Sequence, residues 1–155
     1  MKFWSIELEL LGLFKDYVFA IVLALILAYV AYQQMVINRD KLRLDLYNKR
    51  FDVYTATLKF YQELIADGIS SGTHKSFIEQ KEASKFLFSQ DLSIYQLLDE
   101  LHEKSFKVKA YKENKELKHS PELYVELAKE SNDVVMWSGN AIKDLSKKLE
   151  PYLNM

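Results

Sequence analysis

Three histidines are the residues whose chemistry would be easiest to use, because imidazole binds metals and exchanges protons near neutral pH. They are His74, His102 and His119, and they are far apart in the sequence. A zinc-binding helix of the H-E-x-x-H type needs a second histidine four residues after the first. His102-Glu103 has phenylalanine at that position, and the chain has no cysteine. The sequence predicts solvated histidines, no zinc knuckle and no metal site.

Two other groups of residues are of types used in functional sites: neighbouring acidic residues serve in acid–base catalysis, and neighbouring glycines serve in phosphate-binding loops. Asp99 and Glu103 are four residues apart on a predicted helix and share one face, but an exposed, solvated face explains that spacing. Gly68 and Gly72 lack the lysine and the preceding strand of a phosphate-binding loop. The sequence therefore predicts no catalytic constellation, no cofactor and no enzymatic activity.

Two arginines occupy positions that solubility alone does not explain. Arg43 and Arg50 fall inside the apolar arc of a predicted helix, where an unpaired cation is costly. A guanidinium suits two parallel hydrogen bonds to a carboxylate. We therefore expect these side chains to reach solvent or to pair internally, Arg50 with an acid such as Asp99 or Glu100. The alternative is that Arg50 presents its guanidinium to a partner or an anionic ligand.

A charge-free stretch near the N-terminus determines how the other elements are positioned. Residues 17–38 contain no charged side chain, and residues 17–32 are apolar or aromatic without interruption. A hydrocarbon core of about 30 Å needs about 20 apolar residues in a helix, and a single segment can satisfy its backbone in lipid only as a helix. We predict a transmembrane helix at residues 16–38, with three interfacial tyrosine anchors: Tyr17, Tyr29 and Tyr32.

The flanks of this segment indicate its processing and its orientation. A cleaved signal peptide would have a shorter apolar run and a small-residue cleavage site, whereas this run ends in tyrosine and glutamine. Five lysines and arginines follow the span by residue 50, and only Lys2 and Lys15 precede it. Because cations are retained in the cytoplasm, we predict an uncleaved anchor with the N-terminus outside and the C-terminal domain inside.

Residues 1–15 form a predicted amphipathic segment ahead of the span. Phe3, Ile6 and Leu10 share one helical face, although Glu7 falls on the same side. The segment would lie in the outer interface with Trp4 as an anchor. A continuation of the spanning helix is the alternative.

Residues 39–155 form the predicted cytoplasmic domain. They carry 19 lysines and arginines and 19 aspartates and glutamates, so the domain is formally neutral. Nucleic-acid binding needs a net cationic field, and we therefore predict no nucleic-acid partner. The length predicts one compact domain.

The clearest periodicity of this domain predicts a long first helix. A second apolar row, made of Leu46, Val53 and Phe60, widens the buried arc to about half of the circumference, which favours the central helix of a bundle over a two-stranded coiled coil. No breaker lies between residues 17 and 66, so the span continues into this helix as a rod of about 75 Å. The principal row has spacings of 3 and 4 residues: Leu44, Tyr47, Phe51, Tyr54, Leu58, Tyr61 and Ile65.

Turn and capping signals divide the rest of the chain into three more helices. Residues 67–73 combine glycine with Ser, Thr and Asp, a composition typical of turns. Serines followed three residues later by Glu or Gln predict capping boxes, and Ser-Pro predicts a helix start. The predicted N-caps are Ser76, Ser93 and Ser120, and Pro151 is the predicted end of the fourth helix.

Several segments of the cytoplasmic part carry a family resemblance. The run KLRLDLYNKRFDVY at residues 41–54 is followed by FLF at 86–88, LDEL at 98–101 and PYL at 151–153. Together they resemble a recurrent family of small bacterial membrane-anchored helical proteins that has no assigned activity. The resemblance implies a bacterial inner-membrane protein with a helical cytoplasmic domain, and it transfers no catalytic residue.

These observations predict an all-α protein with a single transmembrane helix that continues into a cytoplasmic bundle of about four helices. The expected function is a membrane-anchored interaction or scaffolding module without catalysis. Its partners would be the lipid bilayer, an unidentified protein and, as an open alternative, other copies of the chain. The competing hypothesis is a membrane effector of a toxin or phage-defence system that permeabilises the bilayer, but the span lacks the polar groups that line ion paths.

Overall fold

The structure is a computed structural model that describes residues 2–66, 68–114 and 121–154. Side chains are described for residue 15 and for residues 17–66, 68–114 and 122–154. These ranges contain no strand, so the predicted all-α class and the number of helices are confirmed. The helices are α1 (Lys2–Ile65), α2 (Ser71–Leu87), α3 (Leu92–Glu113) and α4 (Pro121–Leu153).

The chain divides into two compact units, Met1–Leu44 and Asp45–Met155. In the first unit, most of the described apolar side chains of α1 are exposed: Leu25 is 66% exposed and Leu27 is 61% exposed. By length and composition alone, this part of α1 is long and apolar enough to cross a membrane. The observation is compatible with a membrane span, because a large apolar surface in water marks a site of contact with something else.

The second unit has a hydrophobic core to which all four helices contribute. The rings of Phe60 on α1 and Phe77 on α2 are stacked with 4.0 Å between their centroids. A smaller cluster joins Leu64, Val108 and Val134. Burial of this kind stabilises a bundle by removing apolar area from water. The main core consists of Val53, Phe60, Phe77, Phe88, Ile94, Leu98, Leu101, Leu145 and Leu149.

The buried stripe of α1 differs from the predicted principal row. Val53, Thr57, Phe60 and Leu64 are at most 2% exposed, whereas Phe51 in the predicted row is 40% exposed. Both rows have spacings of 3 and 4 residues, so the spacing does not reveal which row is covered. Thr57 is also polar, so a search for apolar residues at spacings of 3 and 4 does not include it in the buried row. Its hydroxyl donates to the Val53 carbonyl at 2.6 Å, which satisfies it inside the helix.

Two of the predicted N-caps are wrong. α2 begins at Ser71 and is capped by Ser70, whose hydroxyl accepts from the Thr73 amide at 3.3 Å. α3 is capped by Asp91, whose carboxylate accepts from the Ser93 amide at 3.0 Å. In both cases a preceding Ser or Asp of equal capping ability reaches the free amides first. Ser120, the third predicted cap, lies outside the described residues.

Two helices extend further than the sequence pattern indicated. α3 continues past the last apolar contact at Val108 to Glu113, and α4 ends at Leu153, two residues after Pro151. Proline removes one hydrogen bond from a helix interior, and here only two helical residues follow it before α4 ends. α4 also passes through Gly139, where a Cβ would lie 3.2 Å from the Tyr61 hydroxyl oxygen. Glycine at this position therefore leaves room for the Tyr61 side chain against α4.

The connection between α1 and α2 contains Gly68 and is closed by one carboxylate. Gly68 has a φ of 138°, which favours glycine. Glu63 on α1 accepts from the Ser70 amide at 2.8 Å and from the Thr73 hydroxyl at 2.6 Å. The Thr73 hydroxyl, and then the Ser70 amide, lower the pKa of Glu63. The carboxylate thereby holds the N-terminal end of α2, where a negative charge is favourable.

Candidate functional site

Arg50, which the sequence singled out, contacts the C-terminal end of α4. Its Nη1 donates to the Tyr152 carbonyl at 3.3 Å. The guanidinium carbon lies 5.2 Å from the centroid of the Tyr152 ring and 5.9 Å from that of Phe88. Carbonyls in the last turn have no partner within their own helix, and this end carries the negative pole of the helix dipole. Arg50 therefore caps α4.

The predicted ion pair of Arg50 is wrong within the part of the chain that the structure describes. Asp99 accepts instead from Lys81 at 2.6 Å, and Glu100 pairs with Lys104 at 3.3 Å. The Nε of Arg50 is buried and has no hydrogen-bond partner among the described residues. The guanidinium contacts the rings of Phe88 and Tyr152 and the Tyr152 carbonyl instead of the predicted carboxylate. Arg43 is exposed, so it reaches solvent.

Lys112 caps the C-terminal end of α1, as Arg50 caps that of α4. Its Nζ donates to the Leu64 carbonyl at 2.8 Å and also to the Ala66 carbonyl. Both carbonyls belong to the region where α1 ends, so the ammonium compensates for missing intrahelical donors. No local pattern predicts this role, because Lys112 lies in a polar segment 46 residues or more away from the carbonyls it binds.

Lys81 and Asp99 form the most buried ion pair among the described residues. The side chain of Lys81 is 8% exposed and that of Asp99 is 38% exposed, with 2.6 Å between Nζ and Oδ1. Burial opposes the charge of Lys81, but the hydrogen bond and the charge of Asp99 outweigh it and raise the Lys81 pKa. The same hydrogen bond lowers the Asp99 pKa. The pair therefore links α2 to α3.

His74 and His102 meet between α2 and α3, although the sequence indicated solvated, separate histidines. Their Nε2 atoms are 3.1 Å apart, and both side chains are half-buried. Burial, followed by the charge of nearby Lys81, lowers the His102 pKa. A hydrogen bond at this distance requires a proton on one Nε2 and a lone pair on the other. His119 lies outside the described residues.

The histidine pair does not amount to a metal centre in the described ranges. No group of three His, Cys, Asp or Glu side chains in these ranges converges on one point. His74 also borders a cavity of about 410 Å³ between the end of α1, the start of α2 and α3. Lys109 and Glu113 at its edge lie 3.7 Å apart and balance each other in charge. Lys112 also lines this cavity, and its Nζ binds the Leu64 carbonyl. Among the described lining residues, both lysines are therefore engaged by other groups of the chain.

The membrane anchors predicted from the sequence have the exposure that an anchor needs. Tyr17, Tyr29 and Tyr32 are 74%, 64% and 59% exposed. The Tyr29 hydroxyl accepts from Gln33 Nε2 at 2.9 Å, so it has a polar partner on its own helix. Trp4 lies outside the described side chains. The anchoring role itself remains a prediction.

One long surface of the second unit lacks charge. We call it the uncharged face, and it covers about 140° of α1 at 100° per residue. All six charged residues in positions 45–65 of α1 lie on the rest of the circumference. Phe51 and Ile65 are 40% and 46% exposed, and the Tyr47 and Phe51 rings lie parallel, 6.1 Å apart. The uncharged face consists of Tyr47, Asn48, Phe51, Tyr54, Thr55, Leu58, Tyr61, Gln62 and Ile65.

The composition of this face matches that of protein contact surfaces. Such surfaces are enriched in aromatic residues and depleted of Lys, Glu and Asp at their centres. No family model, curated protein or solved structure matched the chain.

Proposed function

We propose that this chain is a single-pass membrane protein whose helical bundle is a non-catalytic interaction or scaffolding module. The uncharged face of α1 is the observation that carries this proposal. The bundle has a main core of its own. Tyr54 packs against that core with part of its surface, whereas Phe51 and Ile65 are substantially exposed, so this side of α1 is available for a contact. The apolar stretch of α1 in the first unit supports the membrane anchor, because none of the described residues covers it.

The same proposal assigns the bundle to the cytoplasmic side of a bacterial inner membrane. The five cations between residues 39 and 50 support this orientation, because the positive-inside rule counts lysine and arginine near the end of a span. The resemblance of residues 41–54 to a family of bacterial membrane-anchored proteins supports the location.

Membrane insertion is tested by extracting bacterial membranes with alkaline carbonate. The full chain should remain in the membrane pellet. Leu23→Arg combined with Ile26→Arg should move it to the soluble fraction, since each arginine costs about 2.5 to 3.5 kcal/mol at the centre of a span. Leu42→Arg with Leu44→Arg is the matched control, and it should stay in the pellet. Release of the unmodified chain would contradict the proposal.

Orientation is tested with one added cysteine, because the chain has none. Asn154→Cys should react with a membrane-impermeant maleimide only after the inner membrane is permeabilised. Labelling in spheroplasts with an intact inner membrane would reverse the orientation. Entry of an impermeant dye into cells upon expression would instead support the membrane-effector function.

A further inference from the structure

The chemistry of the uncharged face restricts what can cover it. A partner that brings lysine, aspartate or other charges would leave them without a counter-charge and remove them from water, which is costly. The polar members of the face are Asn48, Thr55, Gln62 and tyrosine hydroxyls. Each of these groups both donates and accepts hydrogen bonds. Each can therefore pair with an identical group, which a charged side chain cannot do.

We propose that the uncharged face binds the same face of a second copy of this chain, in a parallel pair with two-fold symmetry. In such an isologous contact every patch meets itself. Spacings of 3 and 4 residues from Tyr47 to Ile65 are those of a helix that pairs with another helix along its length. Phe51 and Leu58 lie at the centre of the face, so each would pack against its own copy.

The flanks of the face agree with a parallel pair. On one side Arg50, Thr57 and Leu64 turn into the bundle or towards α4, so they are not available for the contact. On the other side the face itself ends in Asn48, Thr55 and Gln62, which are exposed and neutral, and the charged Asp52 and Lys59 lie beyond them. Two copies can therefore approach without like charges facing each other, a repulsion that would destabilise the pair.

The uncharged face is smaller than a typical stable interface, so the proposed pair depends on the membrane anchor. Nine partly covered residues on one helix offer on the order of half of the roughly 800 Å² per partner that a stable interface buries. An anchor in a shared bilayer gives both copies the same orientation and removes part of the freedom that association would otherwise cost. This inference rests on the proposed function, because the pair depends on the anchor.

Disulfide trapping of the full chain in its own membrane tests the pair. Thr55→Cys and Gln62→Cys replace exposed residues of the face, and each should give a cross-linked dimer under mild oxidation. Asp52→Cys and Lys59→Cys are matched controls, exposed on α1 but outside the face. We expect at least tenfold more dimer from the first two variants. Equal trapping in both sets, or none in either, would overturn the proposal.

A second substitution tests the apolar centre of the same contact. Leu58→Glu, added to Thr55→Cys, should reduce trapping at least tenfold, because two carboxylates would meet across the two-fold axis. Lys59→Glu in the same background should leave trapping unchanged. A cross-linked product with a mass other than twice that of the chain would refute the pair and indicate a different protein partner.

The outcomes separate this inference from the proposed function. A chain that resists carbonate extraction but gives no face-specific dimer is an anchored module without self-association. A chain that carbonate releases fails the proposed function itself, and the extraction assay reports that failure without any cross-linking.

Discussion

Two faces of α1 share one spacing and have different environments. Val53, Thr57, Phe60 and Leu64 are covered by the other helices, whereas Phe51 and Ile65 remain substantially exposed. The buried stripe includes a threonine, and the exposed face is rich in tyrosine. The comparison shows that apolar periodicity identifies a helix that packs on something, but it does not identify which face the chain itself covers.

The largest expected effect separates the two faces by stability. Phe60→Ala should lower the free energy of unfolding by about 3 to 5 kcal/mol, because the ring is fully buried and its loss leaves a cavity. Phe51→Ala should cost about 1 kcal/mol or less, since much of that ring already meets solvent. Denaturant unfolding of the full chain, in enough detergent that each micelle holds one chain, measures both. Equal losses would mean that the uncharged face is part of the monomer core.

The next effect concerns the ion pair that links α2 and α3, away from both faces. Lys81→Met should lower the free energy of unfolding by about 1 to 3 kcal/mol, because the Asp99 carboxylate loses a charged hydrogen-bond partner and solvent replaces it only in part. Lys85→Met is the control, as Lys85 is far more exposed. Wild-type unfolding of the Lys81 variant would show that the pair contributes nothing net.

Arg50 lies at the border between the two faces and should have a smaller effect. Arg50→Met keeps the apolar stem but removes the cap of α4, with an expected cost of about 1 to 2 kcal/mol. Arg43→Met should change nothing, because Arg43 is exposed. If both variants unfold at the same denaturant concentration as the parent chain, the contact with the Tyr152 carbonyl is not stabilising.

The smallest effect is a dependence on pH from the histidine pair. Burial places the pKa of folded His102 below its ordinary value of 6.5. The unfolded chain therefore binds the proton first as the pH falls through 6.5, and the bundle loses stability there. His102→Gln should weaken this loss, as judged from unfolding midpoints at pH 7.5 and 5.5. An identical pH dependence in both proteins would assign the loss to other groups.

The sequence was sufficient for the helices but not for their contacts. The four helices follow from apolar periodicity, the Gly68 turn and the Ser-Pro start, which are local signals. Burial of Thr57 and exposure of Phe51 depend on which neighbours pack against α1, and no local signal encodes that. For the same reason the apolar pattern marks the position of Arg50 as unusual but does not predict its carbonyl partner on α4.

The site residues show the same limit. Lys112 and the pair of His74 with His102 join positions far apart in the chain, so only the folded arrangement reveals them. The uncharged face is different, because the absence of charge along one side of a helix is visible in the sequence. The apolar row alone does not reveal it, since the neutral polar residues beside that row form part of the face.

The cations at the ends of α1 and α4 have a consequence for local opening. Helix ends fray first because their last carbonyls have no partner within the helix. Lys112 and Arg50 supply partners at two of these ends, and each comes from a different helix. Each of these ends can then unwind only if its hydrogen bond to a side chain of another helix is broken. Slow amide exchange should therefore extend into the final turns of α1 and α4, so that the bundle opens as one cooperative unit.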